Sequence, residues 1–288
     1  MELIGFHEPP FGEDARADAE AVKPHLEGLE GRIGVHGPFS GFALDTEDAD
    51  VRAVVHKRLD QALDLSGWIG ATQIVLHSPV KAWHHENLLN ADDGWGMFVD
   101  RVEAAIGPAV TRAASLGLEL VLENIEDRDP YARVKLAEHF DNPAIKVSID
   151  TGHAAWAHGI CKAPAVDRFV RAAGNMLAHV HLQDTDHFAD RHWAIGDGNL
   201  PWAGFFAELA KLTSNPRLII ELKRSQADAL TRTRKPKNLL NFDNFLRSLS
   251  FHFLLGILAL LDHASQQGRD PPRVRDHVGG HLVARRQE

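Results

Sequence analysis

Six short apolar runs in this chain each end in a residue able to bind a metal ion. RIGVH ends at His36, QIVLH at His77, LELVLE at Glu123, IKVSID at Asp150, LAHVH at His181 and RLIIE at Glu221. Each run is rich in Val, Ile and Leu and is bounded by Gly, Pro, Asn or Asp, the pattern of a buried strand. Successive ends lie 41, 46, 27, 31 and 40 residues apart, room for a loop, a helix and the next strand. That rhythm predicts a parallel β/α fold whose strand C-termini converge on one site. Carboxylates and imidazoles gathered there make a ligand shell for a divalent ion.

The segments between the runs carry helical spacing of apolar residues over 14–29, 45–69, 94–116, 132–140, 163–173 and 200–212. Gly117 and Gly174 stop two of these, and Pro201 suits the first turn of another. Residues 2–6 add a seventh strand. A closed barrel of this type has eight, so one strand is missing, and the shortage lies at the N-terminus. Beyond Glu221 the pattern weakens. A helix is expected from 224, broken at Lys235-Pro236-Lys237, with helical character again over 238–263. Residues 267–288 are polar and rich in Pro, Arg and His, and are expected to be poorly ordered. The division is therefore a barrel over 1–223, a helical segment over 224–266 and a disordered tail over 267–288.

Composition narrows the function. The 288 residues carry a formal net charge of −9, a field that does not favour a polyanion and argues against nucleic acid. Cys161 is the only cysteine, so no intrachain disulfide forms, and a reducing, cytoplasmic compartment is expected. MELIGFHEPP meets Pro and Glu at once and does not read as a secretory leader. The apolar run FHFLLGILALL at 251–261 is too short to span a bilayer; it reads as a buried helix or a contact in a homo-oligomer.

Several motifs carry chemistry. SIDTGH holds Asp150 at a strand end and His153 three residues on, both able to face one site; the alternative is an N-cap Asp150 and a surface His153. Glu123 closes a buried strand, where a carboxylate needs a metal or a buried Arg. Glu221 mirrors it. HVHLQD offers His181 as a ligand and His179 as a hydrogen-bonded core histidine. DRHWAIGDG supplies Asp190 and His192 ahead of a turn shaped by Gly196 and Gly198. His36 and His77 are each followed closely by Pro, which stiffens the loop. Trp193 can wall a pocket, Lys223 is an anion contact or a surface lysine, and His84-His85 reads as a solvated loop.

The strings VHGPF, LHSP, LEN, DTGH, HLQD, DRHWAIGDG and IIELK, in this order and spacing, resemble the xylose isomerase-like TIM-barrel superfamily, which includes sugar-phosphate isomerases and epimerases and endonuclease IV. The resemblance covers residues 1–223. It implies a TIM (β/α)8-type barrel that lacks the first β/α unit, with ELIG falling at the second strand, followed by a divergent helical tail. In the ketose 3-epimerase branch one metal is held by four residues, which match Glu123, Asp150, His181 and Glu221 here. The two glutamates of that branch also move the proton, and His153 matches a substrate-contacting histidine. That branch has a substrate-binding arginine where this chain has His187, a departure at the substrate. The endonuclease IV branch uses nine zinc ligands, which match His36, His77, Glu123, Asp150, His153, His181, Asp190, His192 and Glu221. The acidic charge, and the lack of basic and aromatic runs like the DNA loops of that branch, place it second.

The expectation is a divalent-metal-dependent isomerase or epimerase of a small sugar or sugar phosphate. It would hold one to three ions of Zn, Mn, Mg or Co and work through a cis-enediolate, with Glu123 and Glu221 catalytic and His153, Trp193 and His187 at the substrate. The rivals are a zinc-dependent AP endonuclease and a non-catalytic barrel remnant, the latter motivated by the short front end.

Overall fold

The computed structural model describes residues 2–4, 15–29, 31–41, 43–88, 91–223 and 283–285. Seven strands run parallel and neighbour one another in chain order: β1 (Glu2–Ile4), β2 (Gly34–His36), β3 (Gln73–His77), β4 (Glu119–Glu123), β5 (Ile145–Asp150), β6 (Leu177–Leu182) and β7 (Arg217–Ile220). Their pairing is parallel throughout, with His77 opposite Glu123 and Asp150 opposite His181. They make a TIM-barrel-like sheet that is nearly closed. The expected shortage at the start of the barrel has a structural counterpart. The far edge of β1 is covered by β8 (Val283–Arg285), which pairs with it antiparallel, Leu3 opposite Ala284. These three residues belong to a segment expected to be poorly ordered. The helical segment over 224–266, the candidate contact at 251–261 and the rest of the tail lie outside the described residues.

Helices follow the strands: α1 (Ala15–Leu26), α2 (Ala49–Ile69), α3 (Ala82–Asn87), α4 (Gly94–Leu116), α5 (Pro130–His139), α6 (Thr151–Cys161), α7 (Val166–Ala173) and α8 (Trp202–Leu209). Local chemistry sets their ends. Asp48 caps α2 by accepting from the N–H groups of Asp50 and Val51, and Gly70 closes it at φ 71°. Gly117 closes α4 in the same left-handed conformation, which a residue without Cβ adopts at no steric cost. Asp129 caps α5, and Pro130 sits in its first turn.

Two elements differ from the sequence reading. His84-His85 lies in α3 and not on a solvated loop: His84 is buried, with Nε2 3.1 Å from Asp45 Oδ2. That partner is 39 residues away, so no local pattern announces it. Helix α6 directly follows Asp150, where TGHAAWAHGIC mixes small, aromatic and histidine residues without a clear apolar stripe.

The strands' period of two explains where the core sits. Ile74, Leu76, Leu120, Leu122, Ile145, Val147, Ile149, Val180, Leu182 and Leu218 join Phe98, Ile106, Phe169 and Phe205 of the helices in one apolar cluster between sheet and helices. The alternate positions include Glu2, His36, Gln73, His77, Glu119, Glu123, Ser148, Asp150, His179, His181 and Arg217, with Val75, Val121 and Ile219 among them. They face the other way, into the barrel. Contacts across it agree: Gln73 Nε2 donates to Glu119 Oε1 and to the carbonyl of Ala178 on β6. The described barrel interior thus mixes many polar groups with the branched aliphatics Val75, Val121 and Ile219.

Candidate metal centre and active site

The C-terminal rim of the sheet gathers the predicted ligands. His181 Nδ1 lies 2.8 Å from Glu123 Oε2 and 3.3 Å from Glu221 Oε2. Glu221 directly follows β7 and extends its ladder, donating its N–H to the Leu182 carbonyl at 3.0 Å. The other oxygen of Glu123 lies 3.3 Å from His153 Nδ1. Asp150 caps α6 by accepting from the His153 N–H at 2.7 Å, so the capping role considered from sequence is real. It occupies one carboxylate oxygen and does not remove Asp150 from the site. His192 Nε2 and Asp190 Oδ2 are 2.7 Å apart, and His153 Nε2 is 3.7 Å from the same oxygen. His36 and His77 meet edge to face at 5.1 Å, and His36 stacks on His181 at 5.9 Å.

Four sets of atoms among the described residues are each close enough to share one ion: His36, His77 and Glu123; Glu123, Asp150 and His153; Asp150, His181 and Glu221; and, deeper in the barrel, Glu2, His179 and His181, with mutual distances within 4.8 Å. All nine predicted ligands therefore meet at one rim. The two remaining substrate candidates do not join them. His187 sits at φ 68° and packs its ring against His158 of α6 at 5.7 Å. Trp193 pairs its backbone with Asp184 and lies under the Arg191 guanidinium at 5.6 Å. Neither makes a hydrogen bond, ion pair or ring contact to any of the nine. Lys223 donates to the Asp190 carbonyl at 3.2 Å, a loop contact.

The electrostatics of the cluster couple its carboxylates to its imidazoles. Burial would push the Glu123 carboxyl up, but His181 and His153 hold it well below the usual range. Asp150 is pushed up to about 6 by burial and by Glu123, Glu221 and Asp190 around it, against the pull of His153. Burial opposes charge on His181, yet Glu221, Glu2 and Glu123 raise it well above an ordinary imidazole. Against burial, carboxylates raise His153 and His192 as well. His77 goes the other way, down to about 3, through burial and its neighbours His36, His153 and His181. Glu123 Oε2 and His181 Nδ1 are buried, have no hydrogen-bond partner, and face each other at 2.8 Å. A carboxylate oxygen and an imidazole nitrogen left in this way fit a divalent ion.

Residues absent from the sequence reading support these ligands. Gln183, buried just beyond the end of β6, donates from Nε2 to both oxygens of Asp150 (3.1 and 3.0 Å) and to Asp190 Oδ1 at 2.8 Å. Its Oε1 accepts the His192 N–H at 2.7 Å. Gly152 lets it approach, since a Cβ there would overlap the Gln183 side chain. Arg133 of α5 is fully buried, pairs with Asp127, and donates to the carbonyls of Leu122 and Ser148. The arginine considered as a partner for Glu123 thus serves Asp127, and Glu123 pairs with histidines. Asp184 accepts from the N–H groups of Thr185, Gly196 and Leu200 and from Trp202 Nε1. It closes residues 185–200 into a loop that carries Asp190 and His192. No helix among the described residues is long and apolar enough to cross a membrane.

Beside the ligands lies a cavity of about 180 Å³ lined by Phe39, Asp45, His77, Ser78, Lys81 and Glu126, among others. Phe39 stacks on His77 at 4.2 Å and forms its wall.

Comparison with known proteins gives a consistent answer. An uncharacterized protein of Methanocaldococcus jannaschii is 23 % identical over 203 residues, 67 % of this chain and 65 % of that protein. The match thus spans less than two thirds of that relative's length. A Thermus thermophilus protein solved after soaking with ZnCl2 is 26 % identical, with a TM-score of 0.61 over 81 % of this chain and 86 % of its own. A D-tagatose 3-epimerase-like protein has a TM-score of 0.64 at 19 % identity, covering 84 % of this chain and 89 % of its own. A D-psicose 3-epimerase solved in the presence of D-fructose has a TM-score of 0.59 at 19 % identity, covering 77 % and 74 %. The last two likenesses are of fold. Residues 1–242 match the family described as Xylose isomerase-like TIM barrel, and the chain belongs to that family.

Proposed function

We propose that this chain is a divalent-metal-dependent isomerase or epimerase of a small sugar or sugar phosphate. Glu123, Asp150, His181 and Glu221 hold the metal, and the two glutamates move the proton. The observation that carries this reading is the approach of Glu123 and Glu221, from β4 and from the end of β7, to one nitrogen of His181 at 2.8 and 3.3 Å. Two carboxylates from different strands that converge on one point would take a carbon-bound proton from a substrate held there and return it. A divalent ion in that set supplies Lewis-acid polarisation of the carbonyl and stabilises the enediolate charge.

The chain's own groups do the rest. His181 and His153 keep Glu123 ionised. Asp150 is fixed by Gln183 and by the N–H of His153. The adjoining cavity mixes the ring of Phe39 with Asp45, Ser78, Lys81 and Glu126, suited to the apolar and hydroxyl faces of a polyol. The test is deuterium exchange. Metal-loaded protein is incubated with a panel of ketoses, aldoses and their phosphates in D2O, and label is sought on the carbon next to the carbonyl. Glu221→Gln should lower exchange by about 10²–10⁴-fold while largely sparing substrate binding. Full exchange in that variant refutes the two-glutamate mechanism.

A second reading, zinc-dependent hydrolysis of a phosphodiester at abasic DNA, is favoured by one observation: His36 and His77 on one side of Glu123, and His192 with Asp190 on the other, extend the four-residue set to nine. The cavity beside them carries two carboxylates, Asp45 and Glu126, against one ammonium, Lys81. Together with the net charge of −9, this disfavours a DNA backbone. Cleavage of an abasic duplex by the zinc-loaded protein, with no exchange on any sugar, would reverse the order of the two readings.

A further inference from the structure

Glu2 is a fully buried carboxylate on β1. Such a group is costly unless its oxygens are occupied. Both reach imidazoles of β6, on the opposite side of the barrel interior. Oε1 lies 2.8 Å from His181 Nε2 in a hydrogen bond, and Oε2 lies 2.9 Å from His179 Nε2. On the far side of His179, Nδ1 is 2.8 Å from the hydroxyl of Ser148. The four side chains form one buried line: Ser148, His179, Glu2, His181.

We propose that Glu2 is the positioning residue of the metal centre, setting the ring orientation and tautomer of His181 through Nε2 so that Nδ1 is presented to the ion. The inference rests on the reading of His181 as a metal ligand. An ionised carboxylate only accepts hydrogen bonds, so the nitrogen facing it must carry the proton. With Nε2 protonated, the lone pair of a neutral His181 resides on Nδ1. That atom points at Glu123 and Glu221. The Ser148 hydroxyl lies 2.8 Å from His179 Nδ1 and fixes that ring beside the second Glu2 oxygen, which it approaches to 2.9 Å without a hydrogen bond. A carboxylate behind a ligating histidine fixes the ring and raises its basicity, and removing such a partner weakens metal affinity about 10- to 100-fold.

The test is zinc binding to the full chain by competition with a chromophoric chelator, combined with 15N NMR of histidine-labelled, zinc-loaded protein. In the parent protein the His181 Nε2 proton should be seen far downfield, hydrogen-bonded to a carboxylate, with Nδ1 shifted by coordination. Glu2→Gln keeps the shape but cannot accept from both rings with a full charge. It should bind zinc about 10- to 100-fold more weakly and move the His181 N–H signal upfield. Glu2→Asp keeps the charge but withdraws it by one methylene, and should fall between the two, which keeps the test open if the glutamine variant does not fold. A folded Glu2→Gln that binds zinc as the parent does, with an unmoved His181 signal, overturns the proposal. So does loss of one whole zinc per chain with unchanged affinity for the rest, which would make Glu2 a ligand in its own right. His181→Ala separates the premise from the inference. If that variant binds zinc normally, both fall; if it binds weakly while Glu2→Gln and Glu2→Asp do not, only the role of Glu2 falls.

Discussion

Replacing Arg133 by Met tests how the scaffold holds the site. Arg133 is fully buried, and so is Asp127, whose Oδ1 lies 3.2 Å from Arg133 Nε. Nη1 of the same side chain donates to the carbonyls of Leu122 and Ser148. Those carbonyls precede Glu123 by one residue and Asp150 by two, so a single guanidinium ties together the ends of β4 and β5. Methionine fills much of the volume but satisfies none of the three acceptors. Two carbonyls left without a partner cost about 1–3 kcal/mol between them after relaxation. The orphaned Asp127 brings the total to about 3–5 kcal/mol when it must be ionised.

The pH dependence follows from the sign of the Asp127 shift. Burial already pushes this carboxyl up to about 6 although Arg133 opposes it. A raised acid favours folding at low pH and loses that contribution as pH climbs from the unfolded value near 4 through the folded value. Without Arg133 the folded value rises further, so the loss continues to higher pH at up to about 1.4 kcal/mol for each pH unit. Urea unfolding of the metal-free variant should therefore show a loss of about 1–3 kcal/mol at pH 5 and about 3–5 kcal/mol at pH 8. Adding Asp127→Asn should flatten that dependence. A loss under about 1 kcal/mol, or one equal at the two pH values, refutes the reasoning.

Two further outcomes are expected. Carboxylates raise the proton affinity of His153, His181 and His192 above that of an ordinary imidazole, against burial. Their stabilisation is present below the ordinary imidazole value and is lost as pH rises through their raised values. Zinc binding should therefore release at least about one proton at pH 7 and tighten with pH, read by calorimetry in buffers of different ionisation enthalpy; binding without proton release contradicts the protonated cluster. Trp202→Phe removes one of four donors to the buried Asp184. It should cost about 1–3 kcal/mol in urea unfolding, and an unchanged midpoint would show that the remaining three N–H groups suffice.

Much of this architecture is legible in the chain because a polar residue at the end of an aliphatic run is conspicuous. His36, His77, Glu123, Asp150, His181 and Glu221 interrupt Val/Ile/Leu stretches, and the parallel sheet turns linear regularity into a shared rim. Asp190 and His192 were traceable only through the string they share with relatives, since on their own they read as surface loop. Glu2 escaped notice because ELI is too short to display an interruption, and its partners stand 177 and 179 positions downstream. Gln183 follows His181 closely, but an amide carries no chemical signature until Asp150 and Asp190 are seen to share it. The resemblance places His187 at the substrate by position and Trp193 suits a pocket wall by its size, whereas local backbone geometry packs His187 against His158 of α6.

The anchoring of residues 185–200 on Asp184 has a consequence for how such a protein diversifies. The loop leaves the sheet after β6, returns its backbone to Asp184 through Trp193, and is pinned again by Gly196, Leu200 and Trp202. Its interior can therefore lengthen, shorten or change sequence without disturbing strand register. Glu123, Asp150, His181 and Glu221 belong to the sheet, but Asp190 and His192 travel with the loop. On the proposed function the loop would act as an exchangeable cassette: replacing it would alter what approaches the rim, with Gln183 carrying the change to Asp150.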